Sequence, residues 1–230
     1  MTKRLQIVGS PISPYVRKVL VCLERKQIEY EIDPIVPFFG NDEFSRLSPL
    51  RRIPVLIDER VALADSSVIC QYLEDRRPEP PFYPRDVGDR ARARWLEEFA
   101  DSRMGDVFIW RLFNQVAIRP RVWNEPADQA VVKQTLEVEI PSVLDYLEGE
   151  LPVEGFLFGD PGIADVSLAC FFRNAAFASR STPRAGRARR PSSRARSPCR
   201  SSRSSRASRR RCCGRRSRSS ARRCASSACR

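Results

Sequence analysis

The composition of the chain changes abruptly after residue 178. The 52 residues from 179 to 230 contain 19 Arg, 15 Ser and 5 Cys, but no acidic residue and no Leu, Ile, Val, Met, Phe, Tyr or Trp. A segment without large apolar side chains cannot bury a core, so we expect residues 179–230 to be disordered. Only residues 1–178 can form a folded body, and this length suits one large domain or two small ones.

The charge divides at the same point. Of the formal net charge of +13, the tail carries +19 and the body −6. A basic surface over the whole protein is therefore excluded, and nucleic-acid binding is expected only if the Arg/Ser-rich tail is a genuine arm. The alternative is a frameshift near Ala178, since a GC-rich gene read out of frame yields this composition.

Histidine is absent from the chain, which excludes His-based triads, His metal sites and imidazole proton shuttles. Cys22, Cys70 and Cys170 lie in apolar helical stretches and are predicted to be core residues rather than catalytic thiols. The tail cysteines lack Cys-x-x-Cys spacing, so no metal site is expected.

No apolar run is long enough to cross a bilayer and no signal peptide is recognisable, so we expect a cytoplasmic protein without membrane contact.

Hydrophobic periodicity in residues 1–77 predicts the order β-α-β followed by β-β-α, which is the order of a thioredoxin-type half-domain. The first helix has the strongest start signal, because Ser13 is a preferred N-cap and Pro14 suits the first helical position. Its outer face is predicted to carry Arg17, Lys18, Glu24 and Arg25. The predicted elements are a strand at Leu5–Val8, a helix from residue 14, a strand at 28–32, a short helix at Asp42–Leu47, strands at 52–57 and 61–64, and a helix from residue 66.

A proline-rich linker, residues 78–88, precedes a region without strand signals, residues 89–178. Helices are predicted at 89–118, 128–151 and 163–177, and Pro141 is expected to kink the second. The first carries an apolar stripe that includes Trp95 and Phe108. The third is apolar nearly all round, which places it at the centre of a helical bundle. The body is thus predicted to be an α/β thioredoxin-like domain followed by an all-α domain that is truncated at residue 178.

Four short motifs in this order resemble those of a cytosolic glutathione transferase of the serine type found in bacteria. They are Ser13-Pro14-Tyr15-Val16-Arg17, the run S-P-L-R-R-I-P-V-L over residues 48–56, Asp65-Ser66, and G-D-P-G-I-A-D over residues 159–165. The resemblance covers about residues 4–178. It implies a homodimeric enzyme with glutathione as co-substrate and no other cofactor. Residues 162–165 resemble the family's capping box, with Gly162 where relatives have Ser or Thr.

The implied reaction adds the thiol of glutathione to an electrophilic carbon of a small molecule. A free thiol has a pKa near 8.5, and lowering it by two units requires about 2.7 kcal/mol of thiolate stabilisation. A hydroxyl that donates to the sulfur supplies roughly 1.5–3 kcal/mol, and a helix N-terminus adds roughly 0.3–1 kcal/mol. The resemblance assigns this catalytic hydroxyl to Ser13.

On spacing alone, Ser13 fits a simple helix cap better than a catalytic group. Ser10 is a competing hydroxyl donor, and Tyr15 is a weaker competitor. Redox-active relatives carry two cysteines at this helix start, where this chain has Ser13 and Val16, so disulfide exchange is not expected.

The resemblance also implies which residues hold the tripeptide. The Ile53–Pro54 bond is expected to be cis, with the main chain of Ile53 facing the cysteinyl backbone; a trans proline that opens a strand is the alternative. Asp65 and Ser66, at a helix start, would receive the γ-glutamyl end or act only as helix caps. Arg52, where relatives often carry Lys, would bind the glycyl carboxylate or else be a solvated loop charge.

The electrophile cannot be named from these motifs, because variable helices form its pocket. Trp95, Met104, Phe108 and Trp110 are candidates to border it, but an aromatic stripe on a long helix is more often core or dimer contact. Two further functions stay open at this point. The body could be a glutathione-dependent isomerase or peroxidase, or a non-catalytic binding protein with the same fold.

Overall fold

A four-stranded sheet organises the first half of the protein in the computed structural model, which describes residues 4–181. The strand order is β2-β1-β3-β4, with β1 parallel to β2 and antiparallel to β3, and β3 antiparallel to β4. Ile7 on β1 lies opposite Ile32 on one side and Leu56 on the other. The strands are β1 Leu5–Val8, β2 Tyr30–Asp33, β3 Val55–Ile57 and β4 Ala62–Ala64.

Three α-helices accompany the sheet: α1 Pro14–Arg25, α2 Asp42–Leu47 and α3 Ser66–Arg76, with a short 3-10 turn at Pro37–Phe39. Buried side chains of α1, α3 and the sheet form one core that includes Val19, Leu56 and Ile69. The element order confirms the predicted thioredoxin-like half-domain. Strand β2 begins at Tyr30, two residues later than predicted, because the N–H of Ile28 still bonds to Leu23 at the end of α1.

The second half is helical throughout. Helix α4, Val87–Phe99, continues without a break into a π-helical segment, Ala100–Trp123. Helix α5, Gln129–Gln134, is followed by a π-helical turn, Thr135–Glu139, and by α6, Ile140–Glu150. The π-helical turn ends just before Pro141, which has no N–H to donate to the preceding turn.

Helix α7, Ile163–Ser181, is the last described element and packs against α1, α4 and the π-helical segment. Its buried residues include Leu168 and Phe171. The predicted capping box is present, since the Asp165 carboxylate accepts hydrogen bonds from the N–H of Gly162 and of Leu157, each at 3.0 Å. The helix extends three residues beyond position 178. Residues 182–230, with the predicted disorder, frameshift and nucleic-acid arm, lie outside the described residues.

Two predictions about side-chain placement were wrong, and one alternative is excluded. Lys18 was placed on the outer face of α1 but is buried at 1% exposure, because two carboxylates from the helical half surround its ammonium group. Of the alternatives for Trp95, the structure excludes the core, because the side chain is exposed and its indole N–H donates to the Tyr146 hydroxyl at 2.7 Å. Helix α7 was predicted to have neighbours on every side, but within residues 4–181 its Phe177 side chain is exposed.

In residues 4–181, no helix combines the length and the apolar character that a bilayer span requires. No group of three or more His, Cys, Asp or Glu side chains within that range is arranged to hold a metal ion.

Candidate active site at the start of helix α1

The turn between β1 and α1 begins at a glycine that the structure requires. Gly9 has φ +148°, and its N–H bonds to the carbonyl of Asp33 at 2.7 Å. A Cβ at this position would lie 2.8 Å from Val16 Cγ2 and 3.0 Å from Ile53 Cβ. The absence of a side chain therefore lets the turn approach both the first helix and the Ile53–Pro54 segment.

Ser13 caps helix α1, and its hydroxyl oxygen accepts the N–H of Val16 at 3.5 Å. The hydroxyl proton donates to no residue in the part of the chain that the structure describes. Pro14 occupies the first helical position, as the sequence predicts. Ser13 therefore combines both of its expected features: the geometry of a cap and a free donor at the positive end of a helix dipole.

The two competing hydroxyls are in different situations. The Tyr15 hydroxyl already donates to the carbonyl of Asp101 at 2.9 Å. Burial, with a further contribution from the Asp101 carboxylate, raises the pKa of Tyr15 to about 12. The Ser10 hydroxyl accepts the N–H of Ile12 at 3.4 Å and, like Ser13, keeps its proton free among the described residues. The geometry thus argues against Tyr15 as the thiol's partner and leaves Ser10 beside Ser13.

The Ile53–Pro54 peptide bond is cis, as the resemblance implied. Neither the N–H nor the carbonyl of Ile53 bonds to any described residue. Ser48, which is fully buried, holds the preceding residue, because its hydroxyl accepts the N–H of Arg52 at 2.9 Å and donates to the Arg52 carbonyl at 2.8 Å. Sequence reasoning gave Ser48 no role, although it begins the motif that carries this segment.

The adjacent arginines Arg51 and Arg52 differ in what they contact. The Arg51 guanidinium donates to Ser45 Oγ at 2.5 Å and to the carbonyl of Gly40 at 2.7 Å, so it secures the loop before α2. The exposed Arg52 guanidinium makes no hydrogen bond or ion pair within residues 4–181, and its charge acts on the Tyr15 phenol. Arg52 is therefore the arginine of this pair that is free to bind an anion.

Asp65 caps helix α3 from an unusual backbone conformation, with φ +82°. Its Oδ1 accepts the N–H of Ser67 at 2.9 Å and that of Val68 at 3.2 Å. The cap thus occupies two of the N–H groups that the resemblance assigns to a γ-glutamyl carboxylate. The Asp65 Oδ2 atom and the N–H of Ser66 have no partner among the described residues, while Ser66 itself is only 2% exposed.

A buried polar network that the sequence did not predict lies directly behind Tyr15. The Lys18 ammonium donates to Glu97 at 3.0 Å, to Asp101 at 2.5 Å and to Ser67 Oγ at 3.0 Å. Burial opposes the charged form of Lys18, but the two carboxylates outweigh it and raise the pKa of the lysine. The pKa of Asp101 is raised as well, chiefly by burial.

One signal in the sequence could have located this network. Pro14, Lys18, Cys22 and Lys26 recur every four residues along α1, and all four are buried. Positions four apart share a helix face. Because Lys18 shares a helix face with the apolar Cys22, this spacing could have predicted that Lys18 is buried in the core.

The structure therefore gathers the predicted site residues around one helix start. The Ser13 turn approaches Ile53 through Gly9, and the charges of Arg52 and Asp65 both act on Tyr15, which follows Ser13 by two residues. The described body thus joins a thioredoxin-like half-domain, with a serine at this helix start, to an all-helical half.

Comparison with known proteins identifies the family. The family described as "Glutathione S-transferase, N-terminal domain" matches residues 7–81. The uncharacterized GST-like protein YibF of Escherichia coli (strain K12) is 30% identical over 72% of this chain and 79% of its own length. Glutathione S-transferase 3 of Zea mays is 30% identical over 79% of this chain and 82% of its own length. The chain belongs to the glutathione S-transferase family.

Solved structures agree with this assignment. Glutathione transferase F2 from Populus trichocarpa superposes with a TM-score of 0.66 at 28% identity, over 76% of this chain and 83% of that protein. The match includes the helical half as well as the sheet, so the complete described body has the fold of this family.

Proposed function

We propose that the protein joins glutathione, through its sulfur, to electrophilic carbon atoms of small molecules. The observation that carries this proposal is the Ser13 hydroxyl at the start of α1, whose proton has no acceptor among the described residues, in a chain of the glutathione S-transferase family. A hydrogen bond from this hydroxyl to the sulfur supplies roughly 1.5–3 kcal/mol in favour of the thiolate.

The tripeptide is held by groups that have hydrogen-bonding capacity left over. In this proposal the Arg52 guanidinium binds the glycyl carboxylate, and the main chain of Ile53 pairs with the cysteinyl backbone next to Pro54. The Oδ2 atom of Asp65 meets the α-ammonium group, and the N–H of Ser66 faces the γ-glutamyl carboxylate. Support comes from the same four groups having no partner within the described part of the chain.

The chemical step is nucleophilic substitution or addition by the thiolate. The thiol proton passes to water, and the sulfur lone pair forms the new bond to carbon. With an aryl halide the halide leaves with the electron pair of its bond, and no oxidant or metal is needed. The Ser13 hydroxyl keeps its own proton throughout and acts only by stabilising the anionic sulfur.

The decisive experiment measures the pKa of glutathione bound to the full chain by ultraviolet absorbance of the thiolate, together with turnover of an activated aryl chloride. We expect Ser13→Ala to raise the bound thiol's pKa by about 1–2 units, which corresponds to the lost hydrogen bond. Turnover at pH values below the wild-type thiol pKa should fall by about the same factor of 10–100. Ser13→Thr keeps both the cap and the hydroxyl and is the matched control.

Three results would refute the proposal. If Ser13→Ala leaves the thiol pKa and turnover unchanged while Ser10→Ala raises the pKa, the activating hydroxyl is Ser10 instead. Retention on immobilised glutathione without any thiol conjugation would indicate a binding protein of the same fold. Turnover of a hydroperoxide or a cis–trans isomer without conjugation would indicate the other glutathione-dependent reactions.

We also propose that the protein is a homodimer, by analogy with its family. Exposed apolar residues on α3 and α4, Val68 and Trp95, are candidates for the contact surface. Sedimentation of the full chain tests this, and a monomer at micromolar concentration would contradict it.

A further inference from the structure

We propose that Arg17 and Asn174 position the turn that carries the thiol-activating hydroxyl, which makes helix α7 a part of the active site. This inference rests on the proposed function. It starts from the Arg17 guanidinium, whose Nη1 donates to the carbonyls of Pro11 at 3.0 Å and Ile12 at 2.8 Å. Both carbonyls belong to the turn between the two candidate hydroxyls, Ser10 and Ser13.

The other side of the same guanidinium reaches the helical half. Arg17 Nη2 donates to the Cys170 carbonyl at 2.6 Å and to Asn174 Oδ1. Asn174 also contacts the turn directly, since its Nδ2 donates to the Ile12 carbonyl at 3.2 Å. The carbonyl of Ile12 thus has two donors, one from α1 and one from α7.

Within the turn, the N–H of Ser13 bonds to the carbonyl of Ser10 at 3.0 Å. Pro11 is exposed and the Ile12 side chain is 63% exposed, so apolar packing contributes little there. Asn174, in contrast, is only 2% exposed, and the Arg17 Nε atom is buried without a hydrogen-bond partner among the described residues.

The function of this arrangement is to keep the activating hydroxyl aligned with the sulfur of glutathione. The strength of a hydrogen bond falls steeply as its angle departs from linearity, so a turn that shifts or fluctuates weakens the bond from its hydroxyl to the sulfur. Only a planar guanidinium fork can reach carbonyls on both sides at once, which a lysine ammonium cannot do. Arg17 and Asn174 are therefore positioning residues and do not contact the thiol themselves.

The test compares Arg17→Lys and Asn174→Leu in the full chain with Arg173→Lys, an exposed neighbour on α7, as the matched control. We expect each test variant to raise the pKa of bound glutathione by about one unit and, at pH values below the wild-type thiol pKa, to lower kcat about tenfold. The KM for glutathione should change less than threefold, and kcat should recover at alkaline pH. The Arg173→Lys variant should match the wild type.

The outcomes separate this inference from the proposed function. A wild type that neither lowers the thiol pKa nor conjugates glutathione removes the proposed function, and the inference with it. A wild type that does both, beside test variants with an unchanged thiol pKa, overturns the inference alone. A loss of kcat that is equal at every pH, or failure of both test variants to fold, assigns Arg17 and Asn174 a structural role and also overturns it.

Discussion

Buried cations anchor both ends of helix α1, but the two ends differ in the hydrogen-bonding groups that remain without a partner among the described residues. At the amino end, Lys18 pairs with Glu97 and Asp101 of the helical half. At the carboxyl end, Lys26 pairs with Glu74 of α3 at 2.6 Å and donates to the carbonyls of Arg77 and Pro80. Each ammonium group is fully surrounded by the protein.

The difference lies in the unused hydrogen-bonding groups. The carboxyl end is closed, because the N–H groups of Gln27 and Ile28 bond back to Glu24 and Leu23. The amino end keeps free donors at Ser13 and at Ile53 within the described residues. Buried cations alone therefore do not mark an active site here; spare hydrogen-bonding capacity beside a helix start does.

The largest effect should come from removing the buried cation at the amino end. Lys18→Met leaves the carboxylates of Glu97 and Asp101 buried without a cation, and we expect the free energy of unfolding to fall by about 3–5 kcal/mol. Urea unfolding followed by circular dichroism measures this.

The matched variant at the other end is Lys26→Met. It leaves Glu74 with the N–H of Phe82 at 3.0 Å as a remaining partner, so we expect a smaller loss of roughly 1–3 kcal/mol. Equal losses of unfolding free energy for the two variants would show that the two buried cations stabilise the fold equally.

The second effect tests the close approach at the amino end. Gly9→Ala places a Cβ 2.8 Å from Val16 Cγ2 and forces an unfavourable φ of +148° on a residue with a side chain. We expect a loss of about 1–3 kcal/mol in unfolding free energy, together with weaker retention on immobilised glutathione. Gly149→Ala is the control, since nothing lies within 4 Å of the Cβ it would add. Unchanged stability and retention would show that the turn has room to move.

The third effect is a pH dependence that belongs to the amino end. The pKa of Tyr15 is raised from 10.0 to about 12, so the phenol ionises more readily in the unfolded chain than in the folded one. The contribution of Tyr15 to the free energy of unfolding is fully present below pH 10. It is lost as the pH rises towards 12.

Tyr15→Phe removes that dependence. We expect the variant to be less stable than wild type at pH 8 by about 1 kcal/mol, owing to the lost bond to Asp101. The deficit should shrink by about 1 kcal/mol between pH 9 and pH 11. Chemical denaturation at several pH values checks this, and a deficit independent of pH would contradict the assignment.

Local signals account for the parts of the fold that were predicted well. Strand β1 and helix α2 have the predicted bounds, because Gly9 ends the strand and the Asn41 side chain caps the helix by accepting the N–H of Phe44 at 3.0 Å. The resemblance to glutathione transferases supplied the candidate residues of the site. None of those signals depends on contacts between distant parts of the chain.

Two of the features that were missed involve such distant contacts. Lys18 is separated by 79 residues from Glu97, and Arg17 by 157 residues from Asn174. A charged residue on a helix is normally assigned to the solvent face, and only the tertiary fold brings the opposite charge or the carbonyl that reverses this.

The smallest effect sharpens the comparison at the carboxyl end of α1. Gln27 occupies the left-handed position that closes the helix, with φ +52°, where glycine is the usual residue. A residue with a Cβ pays for this conformation, so we expect Gln27→Gly to raise the free energy of unfolding by about 0.5–1 kcal/mol. The gain should appear in urea unfolding without any change in the pKa of bound glutathione, because this end contributes nothing to the site. A shift in that pKa would mean that the two ends are coupled through α1, and the division between a closed end and an open end would no longer hold.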